Sequence, residues 1–119
     1  MKNKTIIGLV CIILLIFSCY LMFFFLKISY LAYLSTKAEC GQIPVCSTDF
    51  SGSYSPNSKE ITINLPENDK NYYSVLIHEV IHAKQDSEGR LSTCDNYLNV
   101  GVFINEFKAY LMEELTNGI

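Results

Sequence analysis

The chain has 119 residues, a formal net charge of −3 and a hydrophobic content of 50%. That length allows one small folded domain and excludes a multi-domain enzyme or a polytopic transporter. Residues 39–119 carry five Lys or Arg against all twelve acids, the wrong sign for gripping nucleic acid through its phosphates.

Residues 6–26 form an uninterrupted uncharged stretch, IIGLVCIILLIFSCYLMFFFL. As a helix it would be roughly 31 Å long, the thickness of a bilayer's hydrocarbon layer. The stretch exceeds the apolar core of a secretory signal, and the small-x-small site Thr36-Lys37-Ala38 lies well beyond it. A retained single-pass anchor is therefore expected over a cleaved signal. A lipoprotein reading at Cys19 fits poorly, because Phe17 is bulky and the chain stays apolar afterwards. Lys2 and Lys4 balance Lys27 and Lys37 across the span, so the terminal amine tips the orientation towards an extracytoplasmic domain. Residues 1–38 are thus expected to be anchor and juxtamembrane stalk, and residues 39–119 the folded domain.

Residues 39–58 are rich in Gly, Ser, Pro and Thr and read as loop, with short strands at most around Val45 and Tyr54. In residues 59–65 Ile61 and Ile63 alternate with Thr62 and Asn64, the period of a half-buried strand that Pro66 ends. Asn68 or Asp69 can cap a helix over residues 70–87, with Gly89 as its stop. A second helix fits residues 95–115, capped by Thr93 or Asp95, with Gly118 past its end. The expected class is α+β: a transmembrane helix, a short sheet or hairpin, and two helices. Cys11 and Cys19 fall in the span as apolar filler. Cys40 and Cys46 are close enough in sequence to close a small disulfide, leaving Cys94 over; three reduced thiols are the alternative.

The chemistry sits in the first of those helices, at His78-Glu79-Val80-Ile81-His82. H-E-x-x-H puts two imidazoles one turn apart on one helix face, where both reach a single metal ion, with Glu79 beside them. A catalytic zinc takes three protein ligands and keeps one position for a water whose pKa falls towards about 7. A neighbouring carboxylate can then take that water's proton. His78 and His82 are the chain's only 2 histidines, and the positions around them are mostly branched and aliphatic. A third ligand is required. Glu106 lies midway along the second helix, which a short loop would fold back against the histidines. Asp86, Asp95 and Glu113 are its competitors.

A strand, an H-E-x-x-H helix and a glutamate within Asn105-Glu106-Phe107-Lys108-Ala109 together resemble the gluzincin group of zinc metallopeptidases in minimal form. The resemblance spans roughly residues 54–115. It implies His78, His82 and Glu106 as zinc ligands, Glu79 as general base, and the strand at residues 60–64 as the edge along which an extended peptide or protein substrate lies. Two positions depart from the pattern. Tyr110 stands where thermolysin-like members carry a carboxylate that orients a ligand histidine. No further histidine can stabilise the oxyanion either, which leaves Tyr72, Tyr73, Tyr97, Tyr110 or Arg90. The expectation is a membrane-anchored zinc metallopeptidase. The alternatives are a zinc-binding interaction module of the same fold without catalysis, and a metal-free acidic scaffold.

Overall fold

The structure, a computed structural model, describes residues 2–40, 51–94 and 99–117. In chain order its elements are α1 (Lys2–Glu39), β1 (Gly52–Ser55), β2 (Glu60–Ile63), α2 (Tyr72–Ser87) and α3 (Val100–Asn117). A mixed architecture of helices and one small two-stranded sheet results. The expected strand near Val45 lies outside the described residues.

Helix α1 is long and apolar enough to cross a membrane, and none of its apolar stretch is buried. It does not stop where the apolar run ends. Ile28, Ala32 and Thr36, four residues apart and so on one helix face, are buried against α3. Around them Phe25 stacks on Phe107 with centroids 6.4 Å apart, and Lys27 pairs with Glu114 at 3.3 Å. The segment expected to be a stalk is a wall of the folded part.

The two strands form an antiparallel hairpin in which Tyr54 faces Ile61 and Ser55 faces Glu60. Lys59, at φ 59°, takes the left-handed conformation that turns the chain, and its N–H donates to the Ser55 carbonyl at 2.8 Å. Ile61 and Ile63 are half-buried while Glu60 and Thr62 are exposed, the alternation expected of this strand. Gly52 permits close docking on α2: a Cβ there would come within 2.5 Å of Val75 Cγ1 and 3.3 Å of Glu79 Cγ.

Helix α2 begins two residues later than the sequence suggests. Asp69 forms a turn ahead of the helix, its carboxylate accepting the Asn71 N–H at 2.8 Å and its carbonyl the Tyr72 N–H at 3.1 Å. Asn71 is the N-cap residue, without a side-chain bond. At the other end Gly89, at φ 70°, donates to Asp86, and Arg90 donates to Gln85, the paired bonds of a Schellman ending. Helix α3 starts at Val100, directly after Asn99 with its φ of 51°. Thr93 is therefore not its cap, and Asp95 and Gly118 lie outside the described residues. In space α3 is central, packing on α1 and on α2, while α2 carries the hairpin on its outer side.

The disulfide differs from the expected one. Cys40 pairs with Cys94, 54 residues away, and not with Cys46, which lies outside the described residues. Packing decides this. Because α1 runs against α3, the residue just beyond α1 lies beside the segment that leads into α3, and sequence spacing has no say. Closing so long a loop removes about 4 kcal/mol of chain entropy from the unfolded state. Replacing Cys40 or Cys94 by Ser should therefore cost roughly 2–4 kcal/mol in denaturant unfolding. Peptide mapping of the non-reduced chain should recover the Cys40–Cys94 pair.

Candidate metal centre

Most of the buried residues among those described are polar. His78, Glu79, His82, Gln85, Asn105 and Glu106 are each at most 8% exposed, and among the described residues Ile28, Ala32, Val102 and Ala109 are the apolar ones buried with them. Helix α2 supplies the two histidines from successive turns, and α3 supplies Glu106 across the helix–helix contact. The nitrogen and oxygen donors of His78, His82 and Glu106 all lie within 4.8 Å of one another. His78 Nε2 is 3.2 Å from Glu106 Oε2 and His82 Nε2 is 3.0 Å from Glu106 Oε1. The two Nε2 atoms are 3.2 Å apart.

The far side of each ring explains this convergence. His78 Nδ1 donates to Glu113 Oε2 at 3.0 Å, and His82 Nδ1 donates to Gln85 Oε1 at 2.9 Å. An imidazole with its proton on Nδ1 carries its lone pair on Nε2, so both lone pairs aim at the point that the Glu106 oxygens reach. These acceptors are themselves fixed. Ser74 Oγ donates to Glu113 at 2.6 Å, and Gln85 Nε2 donates to the Asn105 carbonyl at 3.0 Å. Tyr110 packs edge-on against the His78 ring, centroids 4.3 Å apart, and its hydroxyl is hydrogen-bonded to Ser35. From α1, Ser35 Oγ also donates to Glu106 Oε2 at 2.9 Å.

Charge in the centre is lopsided. Burial pushes His78 down, but its bonds to Glu106 and Glu113 outweigh this and hold it up at about 9. His82 is likewise depressed by burial yet raised overall by Glu106. Burial works against ionised Glu106, but the two histidines hold its carboxyl well below the usual range. Glu79 is raised, chiefly by burial, against the pull of the histidines. Glu39 is exposed as a residue, yet its carboxyl abuts Glu106. Lost hydration and the Glu106 charge raise it to about 7. Four carboxylates (Glu39, Glu79, Glu106 and Glu113) thus surround two imidazoles. A divalent cation at the Nε2–carboxylate junction would offset part of that charge, and the donor set, two imidazole nitrogens and a carboxylate oxygen, suits zinc.

Of the expected residues, the structure brings His78, His82 and Glu106 together with Glu79 alongside. Asp86 lies elsewhere, accepting from Tyr54 Oη and Lys59 Nζ at 2.6 Å each and tying the hairpin to α2. Glu113 binds the outer nitrogen of His78 instead of the shared point, so it does the orienting work that the departure at Tyr110 left unassigned. Among the residues considered for an oxyanion, Tyr73 and Arg90 are exposed, Tyr72 packs edge-on against Tyr73, and Tyr110 alone of the described ones touches a site ring. Asp95 and Tyr97 lie outside the described residues.

Gln85, Ser74, Ser35 and Glu39 were missed from sequence. Gln85 left a signal, standing one turn after His82, and so did Ser74, one turn before His78. Ser35 and Glu39 left none, because α1 reaches the site only by tertiary packing. Compared with known protein families, curated proteins and solved structures, the chain matches none. The donor geometry therefore carries the functional reading by itself.

Glu113→Gln keeps an acceptor for the His78 ring but removes its charge. It should weaken metal binding about 10–100-fold in chelator competition. The metal-free chain should also lose stability as pH rises from about 5 to 9. His78 is raised from 6.5 to about 9, so its contribution is complete below 6.5 and lost on approach to 9. Glu39, raised from 4.5 to about 7, and Glu79, also raised, act in the same direction. Glu106, lowered, contributes evenly above 4.5. Metal must displace the imidazole protons, so the extra stability given by added zinc should grow over that range. Melting curves with chelator and with zinc check both trends.

Proposed function

We propose that the chain is a membrane-anchored, zinc-dependent metallopeptidase of the minimal gluzincin type. The observation that carries this is the convergence of two imidazole Nε2 atoms and one carboxylate, His78, His82 and Glu106, with buried Glu79 next in sequence to the first of them. Bound zinc would supply a Lewis acid that polarises the scissile carbonyl and acidifies water. The rest is the work of the chain's own groups. Glu79, whose pKa is raised, is suited to accept a proton from attacking water and pass it to the leaving amine. Glu113 and Gln85 hold the rings in the tautomer that leaves Nε2 free to bind. Tyr110 keeps its phenolic proton, its pKa pushed by burial to about 12, and would have to turn its hydroxyl from Ser35 to donate to a developing oxyanion.

The hairpin supports an extended peptide as substrate. Among the described residues β2 pairs only with β1, which leaves one backbone edge open beside the helix that bears Glu79. The disulfide supports an oxidising, extracytoplasmic setting for the folded part.

Full-length protein in detergent should carry one zinc per chain and cleave a peptide library, and chelation should stop cleavage and lower the melting temperature by many degrees. Glu79→Gln should keep its zinc and lose hydrolysis; normal cleavage by that variant would assign the proton transfer elsewhere. A wild-type chain that holds zinc and cleaves nothing would be the interaction module instead.

A further inference from the structure

Glu39 reaches the histidine–glutamate cluster from the end of α1 and has no part in the chemistry described so far. Three observations put it there. Ser35 and Glu39 are one turn apart on one face of α1, and Ser35 Oγ donates to Glu106 Oε2 at 2.9 Å. The helix keeps its pitch through that turn, since the Cys40 N–H still donates to the Thr36 carbonyl at 3.0 Å. Cys40 is in turn bonded to Cys94, on the segment that leads into α3. The last turn of α1 is therefore fixed on both sides of Glu39, by a hydrogen bond to Glu106 and by a covalent bond.

The Glu39 carboxyl is hydrogen-bonded to that of Glu106 and also faces His82 and Glu79. Those three groups border one place in the metal centre. Glu106 and His82 are two of its donors. Glu79 can take a proton from water only if the open coordination position lies within its reach. Glu39 and that position are thus on the same side of the cluster, bounded by the same groups. Tyr110 and Glu113 attend the other ring, His78.

Protein-bound zinc is four-coordinate as a rule: three protein donors leave a place for water, and a fourth closes the site. A carboxylate at the border of that place is a donor of the same kind as Glu106. Two carboxylates in contact repel each other, and a cation shared between them removes the repulsion. We propose that Glu39 is the fourth protein donor of the metal centre, closing the position that Glu79 serves until water or substrate displaces it. The displacement is local. Glu39 is the last residue of α1 and exposed, so its side chain can turn outward without moving a buried group. His78, His82 and Glu106 are held by burial and stay in place. The centre is closed at rest and opens by the movement of one side chain. The inference rests on the metal centre of the proposed peptidase and not on hydrolysis by it.

Cobalt(II) reports its coordination through its visible spectrum, so full-length wild type, Glu39→Ala and Glu39→Gln are loaded with it in detergent. Imidazole is the probe ligand, because binding of a neutral molecule responds little to the removal of a charge. Both variants should lose metal affinity in chelator competition by about tenfold or more, as loss of an orienting group already does. Both should bind imidazole several-fold more tightly than the wild type. Vacating a coordination position moves the two affinities in opposite directions. Loss of charge or of local structure lowers the first and does not raise the second. If imidazole binds neither variant more tightly than the wild type, the inference is overturned. A wild-type chain that takes up no cobalt overturns it together with the centre. Cleavage of a peptide library is scored separately. Variants that bind imidazole more tightly and cleave nothing keep this inference and reject the peptidase. A wild-type chain that cleaves, with imidazole affinity unchanged in both variants, keeps the peptidase and rejects this inference.

Discussion

The folded region is organised around buried charge that it cannot balance with its own side chains. A domain this small has few apolar residues to spare, and the buried positions among the described residues hold two histidines, two glutamates, three amides and a threonine beside four apolar residues. Burying ionisable groups in this way is unfavourable unless each finds a partner and the net charge is offset. Hydrogen bonding is complete: no fully buried side-chain nitrogen or oxygen among the described residues lacks a partner. The charge is only partly offset: burial is the first cause of the upward shifts of Glu39 and Glu79, and the bonds to Glu106 and Glu113 hold His78 up. In the metal-free chain protons fill that role. A divalent cation would fill it better, because it binds both imidazoles and Glu106 at once. A metal held by His78, His82 and Glu106 would couple its own binding to the folding of this region.

Helix α3 makes the arrangement possible by serving two surfaces. Its inner side delivers Glu106 and Glu113 to α2, one to the shared point and the other to the back of His78. Seven residues separate them, two turns, so they lie on nearly the same face at different depths. That separation distinguishes a ligand from an orienting group. Its outer side meets Phe25 and Lys27. Small residues permit the close contacts: Ala32 and Ala109 are fully buried in the two helices that pack together, and a Cβ on Gly101 would collide with Ser92.

What was legible in the sequence was whatever depends on local periodicity. The apolar run, the alternation of Ile61 and Ile63, the histidine spacing and the Gly89 stop each follow from one residue's relation to close neighbours. The same rules place Glu106 on a helix, and the two-helix fold then brings it to the histidines. What was not legible depends on which distant elements touch. The Cys40–Cys94 pair, the seat of Ser35 and Glu39 beside Glu106, and the orienting role of Glu113 all follow from how α1 and α2 pack on α3. Nothing in the spacing of six between Cys40 and Cys46 could signal the bond to Cys94. Asp69 shows a smaller limit of the same kind: expected as a helix cap, it forms instead a turn that stands ahead of the helix.

The packing of α1 also bears on whether the apolar segment is retained. A signal peptide cut after Ala38 would remove Ile28, Ala32 and Thr36, the buried face against which α3 rests, together with the Lys27–Glu114 pair. Glu106 would lose its bond from Ser35 and Tyr110 its hydroxyl partner, both at the metal junction. Cys40 would sit two residues from a new chain end, its disulfide fastening nothing from α1. A segment destined for removal has no reason to complete the buried surface of the part that stays. A retained helix does, because one rigid rod then runs from the apolar stretch to Ser35 beside Glu106 and fixes the position of the histidine–glutamate cluster relative to that stretch.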